Sequence, residues 1–317
     1  MGTEVIPLAE VDSVNVSILC DNSVDILMVG SAVARRFKLR NDLFEHPLPI
    51  AEHGFSALIE VQKGESSGKL MFDTGVSKQG ILYNMDVMEV DAHDVQAIIL
   101  SHGHPDHAMG LPGLVERLGR VGMPLILHPD AFLQRRLVLP SGMELQWPPP
   151  NKADLRRMGV EIVEEVGPSM MVDGMVLISG EVVRTTEFER GLAGHQSWRH
   201  DHWEADPLIH DDQCAIVNVA GKGLVVVSGC GHAGVINVVR NAQRITGIDK
   251  VYAVIGGFHL TGPGFEPFIE PTVAALKAIG PACVMPGHCT GWRAVQRIAV
   301  EMPDAFVASS VGTTLML

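Results

Sequence analysis

The sequence predicts an α/β fold, because short strand-like runs alternate with helix-like runs along the whole chain. The strand-like runs are rich in Val, Ile and Leu and are bounded by Gly, Pro or Asp, as buried strands often are. The helix-like runs keep apolar residues three or four positions apart. With 317 residues, 46% of them apolar, and a mean hydropathy of +0.20, the chain can bury a large core. We therefore expect a single domain over residues 1–317.

Each predicted element has local support in the sequence. The runs predicted as strands are Val14–Cys20, Phe55–Val61, Lys69–Phe72, Gln96–Leu100, Pro124–Leu127, Cys214–Val219, Leu224–Val227, Val251–Ile255 and Cys283–Met285. The runs predicted as helices are Leu111–Leu118, Gly234–Ile245, Glu270–Ile279 and Thr290–Val300. In the third helix, Pro271 near the start and Gly280 at the end are ordinary helix boundaries.

Composition and charge exclude several classes of protein. Lys+Arg 24 against Asp+Glu 37 gives a net charge of −13, so we expect no nucleic acid and no membrane surface as partner. The chain has no apolar run of about 18 residues, and its start lacks the cationic segment of a signal peptide. Five scattered cysteines do not make a disulfide framework, which favours a reducing, cytoplasmic compartment. The expected partner is a small-molecule substrate, and the oligomeric state stays open.

One stretch, at about 147–210, differs from the alternating pattern. It opens with Trp147 and three prolines and later holds His195, His200, His202 and His210. We expect a long inserted loop region that leaves the core here, since long loops on compact domains are often lids or binding loops. A surface loop that happens to be rich in histidine is the alternative.

The strongest chemical signal follows the strand that ends at Leu100. His102, His104, Asp106 and His107 lie within six residues of one another. The spacing places the first two histidines side by side on a loop, while Asp106 and His107 turn the other way. Four side chains in this arrangement can bind two adjacent metal ions. Imidazole and carboxylate ligands together suit zinc, manganese or iron.

Further ligand candidates follow two later strands. Cys230 and His232 come directly after Leu224–Val227, and His288 comes after Cys283–Met285. Ligands in α/β sheets gather where parallel strands end. Glycines and polar residues beside both histidines favour a role in a site over a role in core packing.

These residues carry a family resemblance. The motif at 102–107, together with the segments 72–75 and 286–288, resembles the metallo-β-lactamase superfamily. The resemblance implies a four-layer αββα sandwich in which two mixed sheets pack face to face, helices cover the outside and metals lie at one edge. The segments 20–22, 52–56, 228–234, 256–260 and 288–291 are similar to a narrower branch, named dihydropterin-methyl-(ribofuranosyl)aminobenzene phosphate synthase or simply metal-dependent hydrolase.

The resemblance implies a set of metal ligands. His102 and His104 match ligands of the first metal, whereas Asp106, His107 and His288 match ligands of the second.

Two positions depart from the family pattern. The usual Gly-His-Thr ligand loop is absent, so we infer that His232 is the third ligand of the first metal, with Glu181 or a histidine within 195–210 as alternatives. Cys230 stands where relatives often have a bridging Asp or, in some lactamases, a Cys, and it either binds metal or lines the site.

Other residues are candidates for supporting or contacting roles. Asp73 matches a family Asp that supports the ligand loop by hydrogen bonding rather than by binding metal. His259 follows a strand and is predicted to contact substrate or transfer a proton. Asn22, Phe55 and Phe258 are substrate-binding candidates, the two aromatic rings because they can stack on a flat substrate.

The expected chemistry follows from the metals. Two divalent ions about 4 Å apart, zinc first with manganese or iron as alternatives, lower the pKa of a bridging water and create a hydroxide nucleophile. Asp106 is predicted to hold this nucleophile and relay its proton. We therefore expect a dinuclear metal-dependent hydrolase acting on a small phosphoester, lactone or amide-like substrate.

Three other functions compete with this one. The narrower resemblance favours a synthase that joins a pterin to an aryl ribosyl phosphate. A mononuclear iron dioxygenase of the same fold is a second alternative. A non-catalytic binding member of the family is the third, although such members tend to lose ligands that this chain keeps.

Overall fold

The computed structural model describes residues 5–42 and 45–317, so residues 1–4 and 43–44 of the predicted domain lie outside the described residues. The strands within them are β1 (Glu10–Val11), β2 (Ser13–Cys20), β3 (Ala34–Arg35), β4 (Ser56–Lys63), β5 (Ser66–Phe72), β6 (Val95–Ile99), β7 (Met123–Leu127), β8 (Arg135–Val138), β9 (Glu144–Trp147), β10 (Val160–Glu164), β11 (Ser169–Met171), β12 (Val176–Ile178), β13 (His195–Arg199), β14 (His202–Ala205), β15 (Cys214–Val219), β16 (Gly223–Ser228), β17 (Val251–Gly257), β18 (Cys283–Gly287) and β19 (Thr314–Met316). The α-helices are α1 (Lys78–Val87), α2 (Pro105–Ala108), α3 (Leu111–Leu118), α4 (Lys152–Arg157), α5 (Val235–Thr246), α6 (Ile269–Ile279) and α7 (Trp292–Glu301).

Two large sheets form the centre of the molecule. One has the order β10-β7-β6-β5-β4-β2-β19-β3, and the other has the order β11-β12-β15-β16-β17-β18 with β1 beside β15. Their facing sides share one apolar core, in which Phe72 and Ile99 of the first sheet pack with Val227 and Ile255 of the second. The sheets therefore form a sandwich that removes this apolar surface from water.

Helices cover the outer face of each sheet. Strand residues alternate in direction, so Met71 and Ile98 point away from the sandwich core and pack with Leu111 and Leu114 of α3. On the other side, α5, α6 and α7 cover the second sheet; for example, Leu276 of α6 packs in one cluster with residues of β17 and β18. The predicted four-layer αββα architecture is confirmed. None of the described helices combines the length and the apolarity that crossing a membrane requires.

All nine predicted strands and all four predicted helices are present, with boundaries that differ by a few residues. The expected loop region at 147–210 needs a correction, because much of it is regular structure. Strand β10 pairs with β7 in one main sheet, and β12 pairs with β15 in the other. Strands β13 and β14 lie outside the two main sheets, and they join β8 and β9 in a small antiparallel sheet.

The small sheet is tied to the main body by a buried ion pair. Arg135, at the start of β8, contacts the Asp211 carboxylate through two nitrogens at 2.5 and 3.0 Å, and neither side chain is exposed. The same carboxylate accepts a hydrogen bond from the backbone N–H of Gly103 at 2.8 Å. A buried charge that loses its partner is strongly destabilising. This pair therefore fixes the small sheet against the loop that follows β6.

We expect Asp211→Ala to lower the free energy of unfolding by about 3–5 kcal/mol, because it leaves the Arg135 guanidinium buried without its counter-charge. Asp86→Ala is the matched control, since it breaks an exposed pair with Arg117 and is expected to cost less than about 1 kcal/mol. Urea unfolding of both variants in the presence of a chelator measures this difference without a contribution from metal. Equal, small losses in the two variants would contradict the stabilising role of the buried pair.

Candidate metal centre

The first group of candidate ligands is a histidine triad. His102 and His104 follow β6, and His232 follows β16. One ring nitrogen from each lies within 4.8 Å of the others, and Nδ1 of His104 is 3.1 Å from Nε2 of His232. All three side chains are buried. The third member is the histidine inferred from the sequence to replace the missing ligand loop.

The second group contains a carboxylate. Asp106 Oδ2 is 3.2 Å from Nε2 of His288 and 3.8 Å from Nε2 of His107. His107 and His288 are buried, whereas the Asp106 side chain is 19% exposed. Asp106 therefore stands where the second group meets solvent.

The two triads adjoin each other. The ring centroids of His102, from the first triad, and His107, from the second, are 4.3 Å apart. The Cys230 thiol lies within 4.8 Å of a ligand nitrogen of each. Cys230 thus occupies the boundary between the triads, where the sequence predicted a residue that either ligates or lines the site.

In each triad, at least one inner ring nitrogen lacks a hydrogen-bond partner. Nε2 of His102 and Nε2 of His107 are buried and make no hydrogen bond. An unpaired buried polar atom is costly, so such atoms call for a ligand. A divalent cation in each triad would satisfy them by accepting a lone pair from each histidine, and the imidazole and carboxylate donors suit zinc. The residues present therefore fit a two-metal centre.

Asp73 orients one histidine from each triad. Its Oδ2 accepts hydrogen bonds from Nδ1 of His107 and from the Ser101 hydroxyl, both at 2.7 Å, and Oδ1 accepts from the Ser101 N–H at 2.7 Å. The Ser101 oxygen lies 2.9 Å from Nδ1 of His102 and accepts its proton. Both rings therefore carry the proton on the outer nitrogen and turn Nε2 inward. These contacts are of the supporting kind that the sequence predicted for Asp73.

Asn22 supports His288 in the same way. Its Oδ1 is 3.0 Å from Nδ1 of His288, and its amide nitrogen is 3.3 Å from the His288 carbonyl. The backbone N–H of His288 donates to Asp21 at 2.8 Å. Asn22, predicted as a substrate-binding residue, thus has its side chain engaged in positioning a ligand histidine.

His195, from the region expected to be a loop, sets the proton position on His104. Nδ1 of His195 lies 2.7 Å from the carbonyl oxygen of Asp206, which only accepts, so Nδ1 carries the proton and Nε2 is an acceptor. Nε2 of His104 lies 3.2 Å from that acceptor and must donate to it. Burial lowers the pKa of both rings, that of His195 to about 4, so both are neutral. Nδ1 of His104 therefore keeps its lone pair for a metal.

The short segment before β15, where the family's usual ligand loop is absent, makes three hydrogen bonds to loops of the first triad. Asp211 accepts from the Gly103 N–H, Asp212 accepts from the Ala233 N–H at 2.8 Å, and the Gln213 N–H donates to the Ser101 carbonyl. These three residues hold the loops that carry the first triad rather than supplying a ligand.

The alternative third ligands lie elsewhere. Glu181 pairs with His128 at 3.2 Å, and His210 approaches Glu181 at 3.9 Å. His200 and His202 are exposed and pair with Glu204. Among the alternatives considered from the sequence, His232 is the one whose ring nitrogen joins those of His102 and His104.

Two predicted substrate contacts are corrected by burial. Phe55 is 0% exposed and belongs to the core between the sheets, and Phe258 is 2% exposed and packs under α6 and α7. Both residues border strands, and their rings pack within the apolar layers, although Phe258 also borders a small cleft beside His259. The sequence analysis assigned them a substrate-binding role because they lie near the site motifs in the chain, and it could not tell which way each ring points.

His259 lies at the same edge, beside a thiol. Its Nδ1 is 3.1 Å from Cys230 Sγ, and its ring centroid is 4.2 Å from that of His232. Its immediate partner is thus Cys230 rather than Asp106, and its predicted substrate or proton-transfer role stays a prediction.

Two residues at the site were not predicted. His53 Nε2 is 3.5 Å from Asp106 Oδ2, and its side chain is 69% exposed. Cys289 Sγ is 2.9 Å from Cys230 Sγ. Both fall inside segments that carry the family resemblance, 52–56 and 288–291, which was the available signal.

Charge distribution differs between the triads. Burial lowers the pKa of His102, His104 and His232, so these rings are neutral and ready to bind a cation. Burial also lowers the pKa of His107, but the charges of Asp73 and Asp106 outweigh it and raise that pKa to about 9. Metal binding at the second triad must therefore displace a proton near neutral pH.

The fold agrees with comparisons to known proteins. The family model described as the metallo-beta-lactamase superfamily matches residues 50–168. The chain belongs to the metallo-β-lactamase superfamily.

Individual relatives cover most of the chain. A 7,8-dihydropterin-6-methyl-4-(beta-D-ribofuranosyl)-aminobenzene-5'-phosphate synthase from Methanocaldococcus jannaschii is 32% identical over 260 residues, which is 81% of this chain and 87% of the relative. An uncharacterised protein of the same organism is 31% identical over 265 residues, covering 83% of this chain and 92% of the relative. The crystal structure of a metal-dependent hydrolase of the beta-lactamase superfamily superposes with a TM-score of 0.70 at 24% identity, covering 96% of this chain and 98% of the other, and so supports the fold.

We expect His195→Ala to weaken zinc binding by about 10–100-fold, because His104 loses the acceptor that keeps Nδ1 free for the metal. Competition with a chromophoric chelator measures the change. His195→Gln restores an acceptor oxygen and is expected to recover part of the affinity, whereas His202→Ala, on the neighbouring strand β14, is expected to have no effect. Wild-type affinity in His195→Ala would show that His104 needs no such partner.

Proposed function

We propose that this protein is a dinuclear metal-dependent hydrolase that acts on a small phosphoester, lactone or amide-like substrate. The observation that carries the proposal is the pair of adjoining triads, His102–His104–His232 and Asp106–His107–His288. Their inward ring nitrogens include two with no protein partner, at His102 and His107. We propose zinc as the metal, with manganese or iron as alternatives.

When bound, two divalent ions supply a water-derived nucleophile at neutral pH and polarise the group under attack. The chain's own contribution begins with orientation. Asp73, Asn22 and His195 each fix the outer nitrogen of a ligand ring, directly or through Ser101. His102, His104, His107 and His288 are therefore held in place before substrate arrives, which reduces reorganisation in the reaction.

Asp106 is the candidate proton acceptor. Burial raises its pKa, but the charges of His107 and His288 outweigh that effect and hold it well below the usual range, so the group is a carboxylate. It is also the partly exposed member of its triad, and His53 lies 3.5 Å from it on the solvent side. We propose that Asp106 takes a proton from water at this edge and that His53 passes the proton to solvent.

The arrangement disfavours two of the alternatives. A mononuclear iron dioxygenase needs only one triad. The second triad, which has its own supporting contact from Asn22, would then have no role. A non-catalytic binding member needs neither, yet both sets of ligands are retained and both have supporting hydrogen bonds.

A second candidate function is the synthase that joins a pterin to an aryl ribosyl phosphate. The observation in its favour is the 32% identity to the synthase from Methanocaldococcus jannaschii over 81% of this chain. The same metal centre serves either function, because positioning and polarising a small phosphorylated substrate are required by both.

Turnover of a chromogenic phosphodiester and of a simple lactone by the zinc-loaded protein tests the hydrolase. We expect His102→Ala and His107→Ala each to lose about one metal equivalent. Loss of a hydrogen-bond partner of a ligand typically costs roughly 10–100-fold, and we expect removal of the ligand itself to lower kcat/KM by more than that. Both variants are expected to remain folded by circular dichroism. His93→Ala, on an exposed loop, is the matched control.

The outcomes separate the two functions. Hydrolysis that depends on both histidines supports the hydrolase. No hydrolysis together with saturable binding of a pterin and of an aryl ribosyl phosphate favours the synthase. Full metal content and activity in both alanine variants would overturn the assignment of the site.

A further inference from the structure

Three neighbouring strands of one sheet end in residues that bind soft metals. Strands β16, β17 and β18 run parallel and adjacent, with Ser228 opposite Gly256 and Gly257 opposite Gly287. Within a few residues of their ends come Cys230, His259 and Cys289, one from each strand. Because parallel strands finish at a common edge, their loops gather these side chains.

The three ligand atoms lie close together. Cys230 Sγ is 2.9 Å from Cys289 Sγ and 3.1 Å from His259 Nδ1, and all three atoms are within 4.8 Å of one another. The two cysteines are only 2% and 5% exposed. His259 is part-buried, so one side of the group is open.

The local backbone is built around this group. A Cβ at Gly257 would clash with the Gly229 carbonyl oxygen and lie 2.8 Å from Cys289 Sγ, so glycine at 257 leaves the space that this thiol occupies. His259 has a φ of 44°, in the left-handed region that a non-glycine residue rarely adopts. A conformation of this cost persists where the surrounding structure enforces it, often at functional sites.

We propose that Cys230, His259 and Cys289 form a third metal site, which binds a thiophilic divalent cation such as zinc. The site is distinct from the two triads, because neither His259 nor Cys289 belongs to them, while Cys230 faces both. It goes beyond the proposed hydrolase function and does not require it.

The donor set determines the chemistry of this site. Two thiolates and one imidazole leave the fourth position of a tetrahedral zinc ion open, as in catalytic Cys₂His sites. Binding converts two thiols to thiolates and releases two protons, so the added cation is balanced by two negative charges. Because His259 is the part-buried member of the group, water or a substrate group would reach a bound ion from its side.

Cobalt loading of the reduced, metal-free protein tests the proposal. We expect the wild type to take up about three equivalents of Co²⁺ and to show thiolate-to-cobalt charge-transfer absorption. Cys289→Ser is expected to take up one equivalent fewer and to lose about half or more of that absorption, because a thiolate ligand is gone. Cys283→Ser, a buried cysteine on β18 outside these groups, is the matched control and is expected to match the wild type.

Two further variants separate the possible outcomes. His259→Gln tests the site through a part-buried residue and is expected to lose one equivalent as well. His102→Ala disables the first triad and is expected to keep the absorption that depends on Cys289, so failure of the two-metal centre is distinguishable from failure of this site.

Three results would overturn the proposal. One is an unchanged cobalt count and absorption in both Cys289→Ser and His259→Gln. Another is loss of the thiolate absorption in His102→Ala, which would make Cys230 a ligand of the triads alone. The third is a Cys230–Cys289 disulfide that persists under reducing conditions, found by counting free thiols in the unfolded chain.

Discussion

The buried carboxylate of Asp73 is the contact that joins the two halves of the metal centre. It accepts three hydrogen bonds, one from His107 and two from Ser101, and Ser101 in turn orients His102. Hydrogen bonds to a charged group contribute about 1.5–3 kcal/mol each, and here they offset the cost of burying the Asp73 side chain, which is fully buried. One side chain thus sets the proton position on a ligand of each triad, and the lone pairs that can bind metal follow from it.

Around that carboxylate, the small antiparallel sheet encloses the first triad. Arg135 of β8 binds Asp211, which holds the backbone of Gly103 between two ligand histidines. His195 of β13 contacts His104, and the Trp147 ring at the end of β9 packs edge-on against the same histidine, with centroids 5.3 Å apart. The sheet therefore stabilises the fold and orients a ligand through the same few contacts.

Local patterns made much of this structure predictable. The strands consist of runs rich in β-branched residues. The ligands from His102 to His107 lie so close together in sequence that their spacing alone indicates a metal-binding loop. His232 could be inferred as a ligand because the family's Gly-His-Thr ligand loop is absent and a replacement histidine had to come from near a strand end. Two contacts escaped prediction because they join residues far apart in sequence: His195 with His104, 91 positions apart, and Arg135 with Asp211, 76 positions apart. Phe55 and Phe258 were misread because proximity in the chain does not reveal which layer a ring enters.

The most direct test of the two-metal centre is a crystal structure of the zinc-loaded protein with anomalous scattering recorded at the zinc edge. The account predicts one peak within about 2.0–2.2 Å of nitrogens from His102, His104 and His232, and a second at similar distances from Asp106, His107 and His288. Absence of either of these two peaks, or a first peak whose third ligand is a residue other than His232, would contradict it.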